Sequence, residues 1–252
     1  MKWNSAHWQR KITELQRFIE PLVAELGRSE RRESAALYVQ GLLMPGQRKS
    51  IEPMAERLRV DSQKLQQFIS GSPWLDRQVW QSIRREVIPV VEPLQAWVVD
   101  ETGWLKQGKD SVGVSHQYCG AVGKQAQCQI AVELVVTDGE VAAPVGGQLY
   151  LPQTWAEDLP RREKAGVPKV MKFQTKPEIA GDLIEETLAD GVTAAPVLGD
   201  SVYGNAGELR GRIRGLGLEY FFNAEEHWLG WTHRPKLRHP DLGWNQSEPT
   251  WR

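Results

Sequence analysis

The 252 residues, 28.5 kDa, suit one large domain or two medium ones, and 40% hydrophobic with 25% charged residues excludes a disordered chain. Lys+Arg at 31 and Asp+Glu at 32 leave a net charge of −1, so no global charge advertises a nucleic acid. No apolar run is long enough to span a membrane, MKWNSAHWQRK lacks a signal-peptide core, and two cysteines exclude a disulfide scaffold and point to a reducing cytoplasm.

Charge is nonetheless unevenly placed. Residues 1–93 hold 15 Lys/Arg and 11 Asp/Glu, and residues 94–252 hold 16 and 21. A mildly basic front and an acidic rear suit a DNA-contacting module joined to a metal-binding one.

The first ninety residues read as helical. Ile12, Leu15, Ile19, Leu22, Val23 and Leu26 recur at helical spacing, Pro21 is expected to kink that element, and Gly27 to stop it. A second helix over 30–43 is closed by Pro45-Gly46, and two short helices follow at 51–59 and 62–70. Ser72-Pro73 is expected to start the next, which turns Val79, Trp80, Ile83, Val87 and Ile88 inward, and Pro89 and Pro93 bracket a domain junction.

Segment 50–70 fits a helix-turn-helix template. With Ala55 as its small residue, Met54, Leu58, Val60, Leu65 and Phe68 fall inward. Ser62, Gln63, Lys64, Gln66 and Gln67 are then exposed on the second helix, with side chains able to reach bases or phosphates. Arg59 stands where the tight turn wants Gly. An ordinary pair of packed helices satisfies the same pattern. Arg48 and Lys49, just upstream, suit phosphate contacts or a solvated loop equally well.

From residue 94 the period changes. AWVVD is a short buried strand, and GVSHQYCG and QCQIAVELVVT are two more, joined by Gly120–Gln127. Thr175 caps a helix, with Glu178 completing a capping box and Ile179, Leu183, Ile184 and Leu188 facing inward. APVLGD is a strand, AGELRGRIRGLG a basic helix and LEYFFNA a last strand. The sum is an α/β layer, a mixed sheet with flanking helices, preceded by an all-helical N-terminal region. The stretch 227–252 has four Trp and three Pro without either period, and reads as an irregular tail.

Asp100 ends the first buried strand and Asp200 the fourth. A carboxylate directly after four apolar strand residues is costly unless paired or metal-bound. On neighbouring strands, the two would project from one end of the sheet and could hold Mg²⁺ or Mn²⁺, since hard cations prefer oxygen ligands. Glu101 points to the opposite face. Each Asp equally satisfies the simpler reading of a turn-starter or cap. His116, Cys119 and Cys128 fit no standard zinc spacing and are read as sheet or core residues. Tyr203, three residues after Asp200, is read as a packing residue.

The stretch VVDETGWLKQGKDSVGVSHQYCGAVGKQAQCQIAV resembles the first catalytic block of the DDE-type endonucleases of bacterial insertion-sequence transposases. LYLPQTWAED, FQTKPEIA and VLGDSVYGN resemble later blocks in the same order, and RSERRESAALYVQGLLMPGQRKSIEPMAERL extends the resemblance upstream. It implies a ribonuclease-H-like fold, dependence on a divalent cation, Mg²⁺ or Mn²⁺, and DNA cleavage with strand transfer at element ends. It carries the first two catalytic acids and metal ligands onto Asp100 and Asp200. Lys176, Arg210, Arg212 and Arg214 join Arg48, Lys49, Gln63, Lys64 and Gln67 as expected DNA contacts.

The family's third acid, a Glu on a later helix, has no evident counterpart: Glu225, Glu226, Asp241 and Glu248 follow Asp200 without a helical pattern around them. The third acid is therefore unassigned, and the expectation is a helical DNA-binding region over 1–93, an incomplete catalytic domain over 94–226 and a chain nearly silent in catalysis. The expected partner is double-stranded DNA at transposon ends, a homodimer is left open, no membrane is involved, and the location is the bacterial cytoplasm at the nucleoid. Two other readings stand beside this one. They are an inactive DNA-binding transposase remnant and a helix-turn-helix regulator whose α/β part senses a small ligand.

Overall fold

The computed structural model describes residues 5–73 and 75–224. Five helices come first: α1 (Ser5–Leu22), α2 (Ser29–Leu43), α3 (Ile51–Leu58), α4 (Ser62–Ser70) and α5 (Asp76–Val91). Pro21 falls inside the last turn of α1, which carries on into a single 3-10 turn, Ala24–Leu26, before Gly27 turns the chain at φ +81°. Ile19, Val23, Leu26, Ala35 and Phe68 form a small core, joined by the half-buried Val79 of α5.

α5 begins at Asp76, not at Ser72-Pro73. Leu75 is still extended, and the Asp76 carboxylate accepts the Arg77 amide at 2.9 Å, at the positive end of the helix, while Ser72 supplies no cap. The C-terminal half of α5 belongs to a different core: Ile88 and Val91 pack with the sheet.

The sheet has six strands: β1 (Ala96–Leu105), β2 (Ser115–Cys119), β3 (Lys124–Thr137), β4 (Ala142–Leu149), β5 (Val197–Gly199) and β6 (Tyr220–Phe222). β1 is central, antiparallel to β3 on one side and parallel to β5 on the other, and β5 is parallel to β6. The outer edge of β3 takes β2 along its first residues and β4 along its last.

β4 went unread in the sequence because Pro144, Gly146 and Gly147 argue against a strand. An edge strand tolerates all three. Pro144 lies beside a shift of register at Leu134/Val135. A side chain at Gly146 would meet Leu183 at 3.2 Å, and one at Gly147 would meet Trp80 at 3.2 Å, so the glycines let the helices close on the sheet.

Helices α6 (Gln153–Ala156), α7 (Leu159–Lys164), α8 (Lys176–Ala189), α9 (Ser201–Gly204) and α10 (Gly207–Gly215) complete the described chain. Thr175 caps α8 with the full capping box: its hydroxyl accepts the Glu178 amide, and the Glu178 carboxylate accepts the Thr175 amide at 2.7 Å. Trp97 and Val99 of β1, Val132, Leu134 and Val136 of β3, and Val197 of β5 meet Ile179, Leu183 and Ile184 of α8 and Leu209 and Ile213 of α10. One face of the sheet is thereby covered by α5, α8 and α10. The period-2 alternation sends Val98, Asp100 and Thr102 to the other face, where they are half-buried or exposed.

Candidate active site

β1 does not end at Asp100. It runs on to Leu105, paired with β3 throughout, whereas its pairing with β5 is confined to Trp97↔Val197 and Val98↔Leu198. Asp100 itself is exposed, and β5 stops at Gly199. The observed register stops at Val98↔Leu198, two residues before Asp100 on one strand and two before Asp200 on the other. Both residues are exposed.

Each carboxylate is oriented by one backbone amide. Asp100 Oδ1 accepts from Glu101 N at 2.7 Å, and Asp200 Oδ1 accepts from Val202 N at 2.9 Å as the N-cap of α9. The capping role that competes with a catalytic one for Asp200 is thus present. It occupies one oxygen and leaves Oδ2 without a hydrogen bond among the described residues.

A third carboxylate that the sequence reading passed over lies across from the first. Glu133 of β3 is the antiparallel partner of Asp100, and directly opposed side chains share a face. Its Oε2 accepts the Thr102 hydroxyl at 2.8 Å. The signal was available only through register, since nothing in QCQIAVELVVT distinguishes Glu133 from a solvated strand residue. Among the described residues, no three His, Cys, Asp or Glu side chains converge tightly enough to hold a metal ion.

Glu101 points to the helical face, as alternation requires. There its carboxylate meets Lys176 Nζ, the first residue of α8, at 3.0 Å, with 18% and 21% of the two side chains exposed. Lys176 also lies over the Tyr150 ring, 5.8 Å from its centroid. Tyr203 is fully buried, and its hydroxyl makes no well-aligned hydrogen bond among the described residues. Burial first, then the charges of Glu101, Asp200 and Asp100, hold its phenol far above the ordinary range. Burial and the Glu101 charge raise Tyr150 as well.

The other expected contacts are distributed over the molecule. Arg212 ties α10 to α8, reaching Asp182 at 2.7 Å and Glu185 at 2.8 Å, which raises its guanidinium further. Arg214 donates to the Tyr220 hydroxyl at 2.7 Å, and Arg210 to the Gly204 carbonyl. Arg48 and Lys49 lie in the loop before α3, where Arg57 Nη2 donates to the Arg48 carbonyl at 2.8 Å and Lys49 Nζ to the Met44 carbonyl. On α4, Gln63 and Gln67 are exposed, and Lys64 pairs with Glu33 at 2.8 Å. Arg59 takes the left-handed turn between α3 and α4 at φ 56°, and Met54, Ala55, Leu65 and Phe68 are buried. Cys119 and Cys128 are buried free thiols. Glu225, Glu226, Asp241 and Glu248 lie outside the described residues, as does the stretch 227–252.

A sheet with β4, β3, β1, β5 and β6 in that order, antiparallel on one side of its central strand and parallel on the other, defines a ribonuclease-H-like fold. Within that class, residues 21–246 match the family model of the DDE superfamily endonucleases, and the chain belongs to that family. It is also similar to the "Probable transposase for insertion sequence element IS701" of Microchaete diplosiphon, at 31% identity over 172 residues. That match covers 67% of this chain and 42% of the relative, so the chain spans about two fifths of the relative's length.

Proposed function

We infer that the chain acts on double-stranded DNA at the ends of an insertion sequence, as part of a metal-dependent cleavage and strand-transfer machinery. Asp100 and Asp200 are the residues that would hold Mg²⁺ or Mn²⁺. The observation that carries the reading is the parallel β1–β5 register, which supports two exposed carboxylates side by side in a chain of this family.

Each aspartate keeps one oxygen on a backbone amide, and the second oxygen is the one that would meet a cation. A divalent cation, when bound there, supplies polarisation of a phosphate oxygen and a more acidic water. Lys176 offsets the Glu101 charge on the helical side, so the negative charge at this end of the sheet is concentrated on the open face. The exposed amides of Gln63 and Gln67 on α4 suit base edges, and Arg48, Lys49 and Lys64 suit phosphates.

The test is incubation of the chain with transposon-end duplex and Mn²⁺. Cleavage that disappears in Asp100→Asn and in Asp200→Asn supports the reading. The second reading is DNA binding without cleavage, favoured by the absence of a converging third acid among the described residues. Binding of the duplex with no metal-dependent cut selects it and overturns the first.

A further inference from the structure

Residues 94–252 hold 16 Lys/Arg and 21 Asp/Glu, yet two short segments reverse the balance. Residues 105–115 and 153–172 together hold seven of those 16 basic residues and only four of the 21 acidic ones. The two segments are far apart in sequence and adjacent in space. Trp155, fully buried, donates its indole N–H to the Val114 carbonyl at 2.8 Å, and Arg161 donates to the Lys109 carbonyl while its guanidinium stacks on Trp155 at 3.6 Å. An open cleft of about 610 Å³ lies between them, walled by Lys109, Arg161 and Lys164, with Asp110 and Asp158 also on its lining.

Arg162 extends the surface. It is 9% exposed and spends its donors on the carbonyls of Ala156, Pro168 and Met171, at 3.0, 3.0 and 2.6 Å. That fastens the loop after α7, which presents Lys169 and Lys172. Lys109, Lys164, Lys169 and Lys172 are all exposed, and none has an ion pair among the described residues. Unpaired ammonium groups need break no ion pair to meet a phosphate, and each phosphate neutralised releases counterions from the duplex. The surface starts from the loop that leaves β1, five residues beyond Asp100, and ends just before Lys176 beside Glu101.

We propose that this basic face, built from the β1–β2 loop, α7 and the loop before α8, holds the phosphate backbone of duplex DNA, about 17 Å along β1 from Asp100. The proposal rests on the reading that the chain acts on DNA, and adds a contact surface separate from α4. It contacts phosphates, so it adds affinity and no sequence preference.

The experiment is a salt titration of DNA binding by the whole chain and by the variant Lys109→Gln/Lys164→Gln/Lys169→Gln/Lys172→Gln, on a transposon-end duplex and a scrambled one. Each lost phosphate contact removes about 0.9 from the slope of log K against log salt, so the variant is expected to be shallower by about three to four. Its end-over-scrambled ratio is expected to stay that of the wild type. All four side chains are exposed, so an unchanged melting temperature verifies folding; if it falls, the single variants Lys109→Gln and Lys164→Gln each carry about one unit of slope. An unchanged slope overturns the proposal while leaving the DNA reading intact. A wild-type chain that binds neither duplex overturns the DNA reading and this surface with it.

Discussion

Lys176 and Glu101 carry the most consequence per atom. Both are about four-fifths buried, so removing one partner leaves the other desolvated and unpaired. Lys176→Met is expected to cost about 2–3 kcal/mol in urea unfolding, and Glu101→Gln/Lys176→Met to recover most of it. A double variant no better than the single one would mean that the ion pair does not hold α8 to β1. The sequence singled out Asp100 and Asp200 as candidates through their place after apolar strand residues, and alternation alone sent Glu101 to the other face. It gave no sign of Glu133, whose position depends on a β1–β3 register set by long-range pairing, nor of Lys176 as the partner of Glu101.

At the scale of elements, α8 shows how a local motif and a titratable group act together. The Thr175 amide and hydroxyl both donate to Glu178, and this pulls the Glu178 carboxyl below the usual carboxylate range. A depressed folded pKa stabilises above the unfolded value, near 4.3, and that stability is lost as pH falls through the folded one. Glu178→Ala should therefore be less stable than wild type by about 0.5–1 kcal/mol at neutral pH, with the gap closing below pH of about 4 in acid-resolved thermal melts. A gap that persists unchanged in acid would assign the loss to packing. The capping box was legible because its signal is local, a Thr and a Glu three apart before an apolar period. β4 was hidden for the opposite reason: its Pro and two glycines are acceptable only at a sheet edge under helices that the local sequence does not reveal.

Over the whole molecule, α5 joins the two cores. Val79 packs with the helical cluster, and Ile88 and Val91 pack with the sheet. Between them Arg84, 2% exposed, donates to the Val145 carbonyl at 2.8 Å and meets Asp190 and, at 3.4 Å, Glu186 of α8. Arg84→Met should cost about 3–5 kcal/mol, since Asp190 is 17% exposed and would be left without its cation. Calorimetry should show the helical and sheet signals still melting together. Two separated transitions in the wild type would show that α5 does not couple them. The domain junction expected near Pro93 is thus preceded by a helix that belongs to both sides, a continuity that composition and periodicity do not register.

Whether Asp100 and Asp200 form one cation site is tested by thermal stability under Mn²⁺ titration in wild type, Asp100→Asn and Asp200→Asn. Without metal, both variants should melt at or slightly above the wild type, because opposed carboxylates repel by a few tenths of a kcal/mol. With Mn²⁺ the wild type should rise in proportion to the logarithm of metal concentration, since only the folded state offers the pair, and neither variant should follow. An equal rise in all three proteins, or none in any, would contradict the site.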